Sequence, residues 1–194
     1  MTKRLLLVLC FISTFLLNAQ IVVDNNPPYD NPTWLIDNIL LGGGVTASNH
    51  TFQGASAQIG WFNALSTSLG IDSGIIMCTG DIYSVDPVNL GAGVTMPVPA
   101  ITDPDLLNVA NSVPGMIGQS FIVSSIIDVA KLEFDFVPIS DTITFRYVFG
   151  SQEYHTFENT QYNDVFGFFL SGPGIIGPFS APPIHPNGSV NLAV

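Results

Sequence analysis

Residues Phe145–Gly174 read FRYVFGSQEYHTFENTQYNDVFGFFLSGPG, and this stretch decides the fold of the chain. Aromatic and aliphatic residues dominate both of its ends, whereas its middle is polar and ends in Asn163 and Asp164. Strands that bury one or both faces carry apolar residues in this way. The stretch therefore predicts two aromatic-rich strands of a β-sheet that flank a polar, acid-bearing loop.

A hairpin is predicted around the start of this stretch. Apolar and polar residues alternate through 132–137 and again through 142–149, which indicates two strands that each bury one aromatic face. The four residues 138–141 would connect them. In the register that aligns the aromatic residues, Glu133 lies opposite Arg146. We predict an ion pair between these two side chains, worth under about 1 kcal/mol if it is exposed.

Helix signals are few in the rest of the chain. Asn31 followed by Pro32 predicts a short helix that ends before Gly42, and Asp103 predicts a second one that ends at Pro114. Strand-like apolar patterns occupy 45–52, 57–62, 74–78, 118–127 and 166–170. Many short strands with scattered Gly and Pro predict an all-β fold, a β-sandwich of jelly-roll-like type with one or two short peripheral helices.

The N-terminus has the layout of a secretory signal peptide. Lys3 and Arg4 precede the apolar run Leu5–Leu17, and Ala19 offers a small residue for cleavage. The run is short for a membrane span, which needs about 20 residues; an uncleaved membrane anchor is the alternative. We therefore expect residues 1–19 to be a signal peptide and residues 20–194 to form a single exported domain, with no membrane-spanning segment after cleavage.

The expected mature chain is strongly acidic. The whole chain carries a formal charge of −11 with 4 Lys and Arg and 15 Asp and Glu. Loss of Lys3 and Arg4 leaves two cations against all 15 acids, a charge of −13. Such a surface repels phosphate backbones and anionic lipids, which argues against nucleic-acid or membrane-surface binding. The 47% hydrophobic content and the 14 Phe argue against disorder.

The polar loop is the candidate metal site. Glu153, Asn163 and Asp164 supply oxygen donors of the kind that Ca²⁺ prefers, although their spacing is not that of an EF-hand. The alternative is that Glu153 and Asp164 accept backbone N–H bonds and lock the loop without a metal. We expect no cofactor other than this possible calcium ion.

The same loop contains three aromatic residues, Tyr154, Phe157 and Tyr162. They would either pin the loop to the sheet or form a platform for a glycan or a peptide. Glycans and surface or matrix proteins are therefore the expected partners.

No catalytic residue is predicted. The chain lacks the H-E-x-x-H and G-x-S-x-G motifs, and Cys78 lies in an apolar run where a buried, inert thiol is expected. Paired carboxylates in a glycosidase are matched in space rather than in sequence, so a secreted polysaccharide hydrolase that uses Glu153 and Asp164 is the alternative. A structural spacer is the third possibility.

The chain resembles the choice-of-anchor L domain family of bacterial surface proteins. The resemblance rests on ordered blocks: LLGGGV at 40–45, AQIG at 57–60, GIDSGI at 70–75, DPDL at 103–106, LEFDFVP at 132–138 and the quoted stretch. It implies a secreted or surface-displayed domain with varied C-terminal anchoring signals, including those of type IX secretion, and it supplies no established enzymatic role to carry over. Family members continue beyond the position of Val194, so we expect the domain to be incomplete at its C-terminus and to expose a sheet edge.

These observations together predict a non-catalytic, secreted or cell-surface β-sandwich module. Its expected role is adhesion or interaction with a surface matrix.

Overall fold

The computed structural model describes residues 20–85, 103–151, 157, 160–162, 164–180 and 187–193. Within them the chain forms β1 (Val22–Asp24), α1 (Pro32–Leu35), β2 (Val45–Gln53), β3 (Ile59–Asn63), β4 (Ser73–Met77), α2 (Pro104–Met116), β5 (Lys131–Pro138), β6 (Phe169–Leu170) and β7 (Val190–Asn191). A π-helical turn at Ile36–Leu40 continues α1, and 3₁₀ turns occupy Ser56–Gln58 and Ile82–Val85.

The strands form three small antiparallel sheets. One sheet has the order β1-β3-β4, a second pairs β2 with β5, and a third pairs β6 with β7. Strands and short helices in this proportion confirm the all-β class. None of the helices in the described ranges has the length and apolar character needed to cross a membrane.

Both predicted helix starts are confirmed. Asn31 accepts the Trp34 backbone N–H at 3.1 Å, and Asp103 accepts the backbone N–H groups of Asp105 and Leu106 at 3.0 Å each. These side chains satisfy N–H groups that the first helical turn leaves free. Helix α2 ends at Met116, two residues beyond the predicted Pro114, because a proline in the last turn removes only one helical hydrogen bond.

Strand β5 pairs with β2, far away in the sequence, and not with the segment that follows it. Val45 lies opposite Pro138 and Gln53 opposite Lys131, and a bulge between Ser48 and Thr51 interrupts the register. The predicted hairpin of 132–137 with 142–149 is wrong, because the sheet contains only β2 and β5 and no backbone hydrogen bond joins β5 to 142–149. Residues 142–149 are assigned to no strand, and the aromatic face of this segment packs on Phe166 and Phe168 instead.

The predicted Glu133–Arg146 ion pair is wrong for the same reason. Glu133 lies opposite Thr51 of β2, and its carboxylate is 3.4 Å from the Lys131 Nζ. Arg146 Nη2 donates to the Gly70 carbonyl oxygen at 2.6 Å. The strand predictions at 118–127 and 166–170 also need correction, since 118–127 forms no strand and only Phe169–Leu170 of the second segment does.

The buried core lies where α1, its π-helical turn and the three-stranded sheet meet. Leu35, Ile36 and Ile82 are fully buried, and Ile59 is 1% exposed. Burying a large aliphatic side chain stabilises a fold by roughly 1.5–3 kcal/mol. Outside this core, Lys131 Nζ lies 3.3 Å from the Asp103 carboxylate and ties β5 to the start of α2.

Candidate functional site

The most unusual surface feature is a run of exposed apolar side chains at 143–149. We define the aromatic strip as six residues that are 37% to 51% exposed: Ile143, Phe145, Tyr147, Val148, Phe149 and Phe166. The sequence predicted that the alternating aromatics of this segment would be buried as core. The described part of the chain supplies no second layer to cover them. Contiguous apolar surface of this kind marks interaction sites in soluble proteins.

Ring contacts hold the strip together. Phe145 packs edge-on against Phe168 with centroids 4.9 Å apart, Tyr147 lies 5.4 Å from Phe166, and Phe149 lies 5.9 Å from Phe166. Phe145 meets Phe168, whereas Phe149 meets Phe166, so the segment that contains Phe145 and the segment that contains Phe166 run antiparallel. Residues 141–150 make no backbone–backbone hydrogen bond with any described residue. Within the described residues, the two segments are therefore joined by side chains and not by backbone hydrogen bonds.

Asp164 belongs to the polar loop that was predicted as the candidate metal site. Its carboxylate accepts the Ser151 hydroxyl at 3.4 Å, which brings the two ends of the predicted loop together. Glu153 and Asn163 lie outside the described residues. No cluster of three or more His, Cys, Asp or Glu side chains able to hold a metal is formed by the residues that are described. Calcium binding and metal-free loop closure by Glu153, Asn163 and Asp164 both stay predictions.

The described loop aromatics pack on each other. Phe157 and Tyr162 meet edge to face with centroids 6.1 Å apart, and the Thr160 hydroxyl donates to the Phe157 carbonyl oxygen at 2.6 Å. Tyr162 is 65% exposed, whereas Phe157 is half-buried. Tyr154 lies outside the described residues. Tyr162 thus exposes a further aromatic ring in the loop.

Cys78 lies close enough to Asp164 to feel the charge of its carboxylate. Burial raises the pKa of its thiol, and the negative charges of Asp164 and Asp81 raise that pKa further, although the Gly80 backbone N–H opposes the shift by donating to Sγ at 3.3 Å. The thiolate is the nucleophilic form of cysteine, and these surroundings disfavour it. The half-buried Cys78 is therefore held as a neutral thiol.

Both cations of the expected mature chain are engaged. Burial acts to lower the pKa of Lys131, but the carboxylates of Glu133 and Asp103 outweigh it and raise that pKa above its ordinary value. Arg146 is committed to the Gly70 carbonyl oxygen. Around the aromatic strip, Asp141 is exposed beside one end and Asp164 near the other, and the exposed Arg146 lies between them in the sequence.

A polar cluster at the β2 bulge was missed by the sequence analysis. Asn49 has a positive φ of 54°, and its side-chain amide donates to Asp135 at 2.6 Å. His50 Nε2 lies 3.2 Å from the Asp37 carboxylate. No motif links these four residues, because the π-helical turn, β2 and β5 come together only in the folded chain. The Asn49–Asp135 hydrogen bond ties the bulge to β5.

An aromatic cluster at the N-terminal end of the domain was also missed. Tyr29 stacks on Trp61 with centroids 5.0 Å apart and meets Trp34 edge-on at 5.6 Å. All three rings are half-buried. They join the segment before α1 to strand β3, so we assign these rings a structural role in packing.

Comparison with known proteins identifies the family. The family model of the choice-of-anchor L domain matches residues 22–194. No curated protein and no solved structure matches the chain. The family match spans both the buried core and the aromatic strip. The chain therefore belongs to the choice-of-anchor L domain family.

Proposed function

We propose that this chain is a non-catalytic, secreted or cell-surface module of β-sandwich, jelly-roll-like architecture that serves adhesion or interaction with a surface matrix. Its family is one of surface or secreted proteins, which agrees with the predicted signal peptide. The observation that carries the proposal is the aromatic strip. Five of its six residues are consecutive or nearly consecutive in the sequence, and all six expose more than a third of their surface.

The chemistry of the strip suits binding rather than catalysis. Tyr147 and the neighbouring phenylalanines offer large, rigid contact area, and aromatic side chains dominate the energetics of many interfaces. The nearby Cys78 thiol is held neutral, which removes the one thiol nucleophile of the expected mature chain. A hydrolase that uses Glu153 and Asp164 has no observation in its favour, since the carboxylate of Asp164 is exposed and bonded to Ser151.

The proposal is tested with residues 20–194 coupled to beads and presented to immobilised glycans, matrix proteins and cells. Binding of the unmodified protein and its loss in the double variant Tyr147→Ser, Phe149→Ser would support the module. Ile176→Ser is the matched control, because Ile176 is 77% exposed and lies outside the strip. Equal retention of all three proteins, or no retention on any surface, would count against an adhesive role. So would unchanged adhesion of cells from which the gene had been cleanly deleted.

A further inference from the structure

Asn187 and Gly188 form an Asn-Gly pair in the turn that leads into β7. It is the only Asn-Gly pair in the sequence. Asn187 is exposed, and Gly188 is half-buried with a φ of 79°. An Asn side chain ends in an amide carbon that the backbone nitrogen of the next residue can reach, and a glycine carries no side chain to shield that nitrogen.

The fold itself requires the glycine of this pair. A φ of 79° is a conformation that favours glycine, and a Cβ at Gly188 would collide with the carbonyl oxygen of Gly177. The next residue, Ser189, is 2% exposed, and its backbone N–H donates to the Phe179 carbonyl oxygen at 3.0 Å. Close packing on one side of the turn therefore keeps an unshielded nitrogen beside the Asn187 side chain.

Neither reacting group is held by another bond in the described part of the chain. The Asn187 side chain and the Gly188 N–H make no hydrogen bond with any described residue. Asn111, which precedes the small residue Ser112, provides the contrast. Its amide donates to the Val123 carbonyl oxygen at 3.0 Å and accepts the Val123 N–H at 2.9 Å, and it lies inside α2, where helical hydrogen bonds hold the backbone.

We propose that Asn187–Gly188 is a site of spontaneous covalent modification, an inference that goes beyond the proposed function and does not depend on it. The Gly188 nitrogen loses its proton to hydroxide and attacks Asn187 Cγ. The new N–Cγ bond closes a succinimide ring, the Cγ–Nδ2 bond breaks, and ammonia leaves. Water then opens the ring at one of its two carbonyl carbons, which gives either aspartate or isoaspartate. Each product carries one new carboxylate.

The isoaspartate product should weaken the pairing on either side of the turn. Its main chain runs through Cβ and Cγ and is one carbon atom longer, and the former backbone carbonyl of Asn187 becomes a free carboxylate. In the unmodified chain that carbonyl oxygen accepts the Gly177 N–H at 3.2 Å. Phe179 and Ser189 form a β-bridge immediately beyond it. A longer connection at this point changes the spacing between these two contacts.

The test is incubation of residues 20–194 at neutral and at mildly alkaline pH, followed by chymotryptic peptide mapping with a fragmentation method that distinguishes aspartate from isoaspartate. We expect Asn187 to convert to both products, faster at alkaline pH because the attacking nitrogen must lose its proton, and Asn111 to stay intact. A capped peptide with the sequence of residues 185–191 gives the unconstrained rate. The folded protein should convert within about tenfold of that rate.

Asn187→Gln is the matched variant, because it keeps an amide but would have to close a six-membered ring. Its conversion should be at least about tenfold slower. Hydrogen exchange then compares fresh and aged samples. The Phe179 and Ser189 amides should exchange faster in the aged protein and not in the equally aged variant, since both amides bond across this turn.

Three results would overturn the proposal. Asn187 that stays intact in the folded protein while the peptide converts would show that the turn protects it. Formation of aspartate without isoaspartate would indicate direct hydrolysis and exclude the succinimide. Unchanged exchange at Phe179 and Ser189 in protein that contains isoaspartate would exclude the expected opening of the pairing. The first two results come from the unmodified sequence, so they hold even if the variant fails to fold.

Discussion

The side-chain amide of Gln58 donates a hydrogen bond to the carbonyl oxygen of Asp128 at 3.0 Å, across 70 positions of sequence. The same nitrogen donates to the Thr79 carbonyl oxygen at 2.9 Å, and the amide oxygen accepts the Ala55 N–H at 2.7 Å. Gln58 is completely buried. One side chain thus joins the segments that enter β3, leave β4 and lead toward β5.

Replacing this side chain should be costly. Gln58→Ala removes three hydrogen bonds and leaves buried carbonyl groups without their partner, so we expect a loss of about 2–4 kcal/mol in the free energy of unfolding. Urea unfolding of residues 20–194 measures it. Gln53→Ala is the control, since Gln53 is exposed at the end of β2 and its loss should cost less than about 0.5 kcal/mol. Similar costs at the two positions would show that the Gln58 network contributes little.

Asp128→Asn should stabilise the protein at neutral pH. Burial raises the pKa of the Asp128 carboxyl above its ordinary value, so its ionised form is disfavoured in the folded state. The residue also has a positive φ of 56°, a conformation that Asn tolerates well. We expect a gain of up to about 1 kcal/mol, kept small because the carboxyl is partly solvated.

The pH dependence gives the sign of this effect. Below the ordinary pKa of an aspartate, about 3.9, the carboxyl is protonated in both the folded and unfolded states. Its ionisation therefore does not lower the free energy of unfolding there. As pH rises through the raised folded-state pKa, the wild type loses stability that the variant keeps. The advantage of Asp128→Asn should therefore grow from about pH 3 to pH 7, as measured by urea unfolding. Asp141→Asn, at an exposed position, should show no such growth.

Two glycine substitutions should have opposite effects. A Cβ at Gly60 would lie 2.5 Å from Ile82 Cδ1 and 2.6 Å from the Asp24 carbonyl oxygen, so Gly60→Ala should cost about 1–3 kcal/mol. A Cβ at Gly115 in α2 would meet nothing within 4 Å, and Gly115→Ala should add about 0.5 kcal/mol through helix propensity. Thermal and urea unfolding compare the two. A gain at Gly60 would contradict the close packing of β3 on the Ile82–Val85 turn.

The reactivity of Cys78 should report the charge of Asp164. Because burial and the Asp164 and Asp81 carboxylates raise the thiol pKa, alkylation of residues 20–194 by iodoacetamide should be slow at about pH 8 and accelerate only at higher pH. Asp164→Asn should shift the pH dependence of the alkylation rate to lower pH and speed the reaction at pH 8 by about threefold. Asp141→Asn should leave the profile in place. A higher plateau rate without a shift of its midpoint would indicate greater exposure of the thiol and not an electrostatic effect.

Local features of this fold could be predicted from sequence, and distant pairings could not. Asn31 and Asp103 cap their helices through atoms two or three residues away, so the signal and the structure lie in the same few residues. The alternation in β5 correctly marked a strand. It did not identify β2 as the partner, because the period of two defines the faces of a strand and says nothing about which segment bonds to its edge.

The candidate site illustrates the same limit. The sequence singled out the aromatic residues of 145–149, but their exposure depends on whether another layer of the fold covers them. Apolar alternation is equally compatible with a core face and a binding face. Likewise, Asp37 and His50 share no sequence motif, and only the approach of the π-helical turn to β2 brings their side chains to 3.2 Å.

The aromatic cluster of Tyr29, Trp34 and Trp61 provides an optical reporter. The chain has only two tryptophans, and both belong to this cluster. Intrinsic emission excited above the tyrosine band therefore monitors a single place, the docking of the segment before α1 onto β3. Neither indole belongs to the aromatic strip. A partner that occupies the strip without disturbing the fold should leave this emission unchanged, so unfolding and binding can be followed separately in the same sample.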